Sequence, residues 1–73
     1  MRIENITPNM KNRHAHISFM SMDYSQHAQI NLNFDIRFTG NETLNDANEM
    51  IKTRALQLLQ EAIPLLFTGS DAH

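Results

Sequence analysis

The chain has 73 residues, no cysteine, two glycines and a formal net charge of -2. Disulfides, thiolate metal sites and cysteine nucleophiles are thereby excluded, no glycine-rich phosphate loop can be built, and no whole-molecule field attracts nucleic acid or an anionic membrane. One small domain is expected, and because a domain this size buries only about 60% of its unfolded surface, self-association is the expected staple.

The chain opens with RIENIT, in which Ile3 and Ile6 lie on a short segment that stops before Pro8, so residues 2–6 are predicted as an edge strand followed by a polar connection. RHAHISFMSMDY comes next and alternates, with Ala15, Ile17 and Phe19 on one face and His14, His16 and Ser18 on the other. From Met20 the apolar residues change parity to Met20, Met22 and Tyr24, which implies either a bulge that returns them to the core or an apolar row on the outward face. The second alternative is the composition of an adaptable protein-contact surface.

QINLNFDIRF is the returning strand: Ile30, Leu32, Phe34, Ile36 and Phe38 alternate with Gln29, Asn31, Asn33, Asp35 and Arg37. The hairpin strands are predicted over residues 13–24 and 28–39. A turn centred on Ser25 and Gln26 sets Ile17 opposite Phe34, Phe19 opposite Leu32, Ala15 opposite Ile36 and His16 across from Asp35.

After Gly40 the period becomes helical. Thr43 is the expected N-cap, with Asp46 three residues on, and Leu44, Ala47, Ile51, Ala55, Leu58 or Leu59, and Ala62 trace one face. Pro64 is expected to end or kink the helix, which is therefore placed over residues 43–63. Residues 64–67 form an apolar tail and residues 68–73 a frayed end. The predicted architecture is α+β, an antiparallel hairpin, with a third strand at residues 2–6, and one long C-terminal helix packed across the apolar face.

Four chemistries are conceivable on this frame. His14 and His16 project from the same strand face with Asp35 across from them, a set that resembles a divalent metal site, although two histidines on a solvated sheet face account for the pattern more simply. Ser18 and Ser21 have no strained elbow or oxyanion turn around them, so neither an enzyme nor a cofactor is expected. Arg2, Lys11, Arg13 and Arg37, with His14, are expected near the open end of the hairpin, where a basic patch could hold phosphates. The neighbouring face, however, offers Asn31, Asn33 and Asp35 instead of aromatic stacking platforms.

The remaining class is protein interaction, through Met20, Met22 and Tyr24 and through Ile63, Leu65, Leu66 and Phe67, which exceed what one stripe can bury on a small sheet. The expected function is therefore that of a non-enzymatic accessory or regulatory protein that binds another protein. It is expected to be a homodimer joined through edge strands or the apolar tail, with a nucleic-acid-associated regulator as the alternative. No stretch reaches the roughly 18 apolar residues of a membrane span, and the expected location is cytoplasmic.

Overall fold

A computed structural model describes residues 1–23 and 25–68. Among the described residues the chain forms β1 (Arg2–Asn9), β2 (His14–Met20), β3 (Gln29–Asp35) and α1 (Leu44–Thr68). The strands make one antiparallel sheet in the order β1-β2-β3, and the helix follows it, an α+β arrangement.

β1 runs past the predicted end at residue 6 and through Pro8 to Asn9. An edge strand tolerates proline, because an N–H on its outer side has no ladder partner to lose. The register of β1 on β2 shifts between Ile3 and Asn5, leaving Glu4 as an inserted residue. This bulge explains the spacing of the two isoleucines. Ile3 and Ile6 have opposite parity, yet the extra residue lets them pair with Phe19 and Ile17 on the same inward face. Among the described residues no bulge is present near Met20: β2 pairs with β3 in unbroken register and ends at Met20. In the turn from β1 to β2, Asn9 Oδ1 accepts a hydrogen bond from the Asn12 N–H, and Arg13 adopts a left-handed backbone with φ of 52°.

The hairpin register differs by two residues from the predicted one. Ile17 faces Leu32, Phe19 faces Ile30, Ala15 faces Phe34, and His14 instead of His16 faces Asp35. Asp23 sets this register. Its Oδ1 accepts hydrogen bonds from the Ser25 N–H at 2.9 Å and the Ser25 hydroxyl at 2.7 Å, while the Ser21 N–H donates to the Ala28 carbonyl at 2.8 Å. The turn therefore begins earlier than one centred on Ser25 and Gln26, and β2 does not extend to residue 24. β3 also stops short of residue 39. After Asp35, the Ile36 N–H still donates to the Arg13 carbonyl, and a Phe38 N–H to Ile36 carbonyl bond of 3.0 Å then closes a three-residue turn on Arg37. That turn delivers Phe38 into the core beside Ala15, Ile17, Ala47, Ile51 and Ala55.

Thr43 caps the helix as predicted, its Oγ1 accepting from the Asp46 N–H at 3.1 Å. The helix lies over β1 and β2 and does not cover the whole apolar face, so the inward row of β3 is shielded only in part. Nor does the helix end at Ala62 or Ile63. It continues through Pro64 to Thr68, and the expected apolar tail lies within its last turn and a half. Pro64 and Gln60 are both exposed, so water can hydrate the Gln60 carbonyl that a proline cannot serve.

The 25-residue helix is roughly 37 Å long against roughly 25 Å for the strands, so its C-terminal part overhangs the sheet. The radius of gyration, 14.5 Å, exceeds the roughly 11 Å of a compact chain of this length, in keeping with that overhang. No helix among the described residues is long and apolar enough to cross a membrane. The predicted frayed residues beyond Thr68 lie outside the described residues.

Candidate interaction surfaces

The outward face of the sheet is a network of polar side chains that satisfy one another. His14 Nδ1 lies 3.1 Å from Asp35 Oδ1, and His16 Nε2 lies 3.1 Å from Asn31 Oδ1. At the other end, Glu4 Oε1 accepts from Gln29 Nε2 at 2.7 Å and from Ser18 Oγ at 3.4 Å. The bulge places Glu4 there, and the serine beneath these longer side chains is only 2% exposed. His14, His16 and Asp35 do not converge: the two-residue register difference gives Asp35 to His14 and turns His16 to an amide. No group of three His, Cys, Asp or Glu among the described residues is arranged to hold a metal ion.

The basic residues divide between the two ends of the sheet. Arg2 pairs with Met20, at the end where β2 turns toward β3, and not at the open end of the hairpin expected from the sequence. Because the strands are antiparallel, that is about six residues or roughly 20 Å along β2 from His14. Lys11 and Arg13 lie in the turn at the opposite end, and Arg13 and Arg37 line one depression with Asn12, Asp35 and Ile36. A carboxylate thus sits within the remaining basic cluster.

Two apolar surfaces complete the description. Met20 is half-buried on the outward face, and with Met22, Arg2 and Ser21 it lines a small depression; Met22 itself lies beyond the strand and is exposed. Tyr24, the third member of the predicted row, lies outside the described residues. The larger surface is the overhanging helix. The stripe that seats the helix on the sheet, Ala47, Ile51, Ala55 and Leu58, continues at the same spacing as Ala62, Leu65 and Leu66, past the point where the sheet stops. Leu65 is 67% and Leu66 77% exposed, and Ile63 and Phe67 are exposed beside them. At the base of this arm, Ile3, Ile17, Phe19, Lys52, Ala55, Leu56 and Leu59 line an apolar hollow of about 170 Å³.

Two loop carboxylates hold connections in shape. Glu42 is held below the usual carboxylate range, chiefly by the Thr39 N–H and also by the Gly40 N–H and Thr39 hydroxyl. The Ser25 hydroxyl and N–H lower Asp23 in the same way. Both act at turns. The basic depression and the apolar hollow are lined by other residues.

No protein-family model, curated protein or solved structure matches this chain.

Proposed function

We propose that this chain is a small non-enzymatic accessory protein of the cytoplasm that works as a homodimer by binding another protein, with the C-terminal helical arm as the docking element. One observation carries the reading: the core-facing stripe of the helix continues beyond the sheet with its leucines exposed. An isolated apolar side chain on a surface needs no explanation, but an amphipathic helix whose apolar stripe outruns its own core is the form in which helices enter grooves on partners.

The test compares wild type with a Leu65→Ser/Leu66→Ser variant, whose changes fall on exposed positions and leave the core intact. Both are immobilised and exposed to extract. Protein retained by wild type and lost by the variant, at equal helical content, supports docking through the arm; identical retention by both overturns it.

The nucleic-acid alternative rests on Lys11, Arg13 and Arg37, which share one end of the fold. Its support is weaker with Arg2 at the other end and Asp35 among them. Binding to random-sequence DNA or RNA that weakens steeply with salt, and is lost on Lys11→Ala/Arg37→Ala substitution, would favour it.

A further inference from the structure

We infer that two copies of this chain pair through β3, edge to edge and antiparallel about Leu32, to form one continuous six-stranded sheet. The inference deepens the self-association proposed above and rests on it.

The two edges of the sheet are unlike. β1 is interrupted by the bulge at Glu4 and contains Pro8, which offers no N–H. Such features keep an edge from pairing with another chain. β3 has none of them: its seven residues contain no proline, lysine or glycine and run in unbroken register on β2. Its outer N–H and C=O groups form a straight, regular edge.

The side chains beside that edge also lack a full cover. The helix lies over β1 and β2, so Ile30 is 39% exposed and Leu32 and Phe34 are buried only in part. A strand added at β3 would cover the outer flank of this row and supply apolar residues of its own.

The pattern of β3 matches itself. An antiparallel pair centred on Leu32 engages all seven residues. Leu32 faces its own copy, Ile30 faces the partner's Phe34, Asn31 faces the partner's Asn33, and Gln29 faces the partner's Asp35. Apolar side chains meet on the inward face and amides on the outward face. The carboxylate meets an amide, and no like charges are opposed. A register moved by a single residue would set apolar side chains against polar ones, and a centre at Asn31 or Asn33 would leave residues unpaired at both ends. The two-fold axis closes the assembly with the same patch on both copies.

The absence of cysteine makes the test direct. Nitroxide labels are attached to Asn33→Cys and, in a separate protein, to Thr7→Cys. Both residues are exposed on the outward face, one on each edge strand. The pairing brings the two Asn33 labels close together near the axis and keeps the Thr7 labels on the far edges, so dipolar broadening is expected for Asn33→Cys and none for Thr7→Cys. A second variant, Asn31→Lys/Asn33→Lys, sets lysines against lysines across the axis and is expected to abolish the dimer seen by sedimentation without changing the circular dichroism spectrum. A dimer that survives the lysine pair but dissociates with Leu65→Ser/Leu66→Ser overturns β3 pairing and leaves self-association standing. A wild-type monomer at high micromolar concentration overturns both.

Discussion

Glu4 and Gln29 belong to the two opposite edges of the sheet and are joined across β2 by a 2.7 Å hydrogen bond from Gln29 Nε2 to Glu4 Oε1. The same oxygen is the acceptor for the buried Ser18 hydroxyl. Removing the carboxylate therefore leaves a buried donor without its acceptor. Glu4→Ala should lower the unfolding free energy by about 1–2 kcal/mol, while Glu4→Gln, which keeps an acceptor oxygen, should cost less than half of that. Urea denaturation of the two variants gives the comparison, and equal losses would contradict it.

Arg13 occupies the left-handed region, where a Cβ is strained. Arg13→Gly should raise stability by up to about 1 kcal/mol, because relief of strain exceeds the added freedom of the unfolded chain. Arg13→Val should lower it, since a β-branched side chain fits that conformation poorly. Thermal unfolding of both variants reports the sign.

Ile51 and Leu66 are branched aliphatic residues on one helix with opposite surroundings, the first fully buried and the second largely exposed. Ile51→Ala should cost about 2–4 kcal/mol, whereas Leu66→Ala should change monomer stability by less than about 0.5 kcal/mol. A large loss at Leu66 in dilute protein would mean that the arm belongs to the core of its own chain.

Glu42 supplies the pH dependence. Its carboxylate is lowered by the Thr39 N–H above all, so the folded state binds that proton less readily than the unfolded state. The stabilisation is complete above the unfolded value and is lost as pH falls through the folded one, so the urea midpoint should decline as the solution is acidified below the ordinary glutamate range. Asp23 adds a decline of the same sign. Glu42→Gln should be less stable at neutral pH and show a shallower acid decline. An unchanged slope would show that the Thr39 contacts do not persist in solution.

The parts of the fold legible in the sequence were those written as a period. Alternation in HAHISF and QINLNF made two strands with the correct faces, and Thr43 before a stripe at Ala47, Ile51 and Ala55 made the helix start. The exact register was not legible from alternation, because a two-residue slip preserves every face. Asp23, a residue that commonly closes turns on its own carboxylate, was the available signal, and reading it as the turn start would have given His14 to Asp35. The bulge at Glu4 was visible only as two isoleucines of mismatched parity. Pro64 misled for a different reason: it interrupts helices whose neighbouring carbonyls are buried, and here the helix had already left its sheet. Of the interaction surfaces, the greasy arm was legible as composition, while the imbalance between the two sheet edges required the strand order.

The inserted residue in β1 bears on how far association can proceed. A unit with two sticky ends polymerises, and a unit with one stops after a single partnership. Glu4 and Pro8 sit on the β1 edge, so under the proposed β3 pairing the chain would be a monofunctional reagent whose growth terminates at two. Deleting Glu4 and replacing Pro8 by Val would make it bifunctional, and concentrated solutions of that variant should form strand-ordered filaments that bind thioflavin T while wild type remains clear.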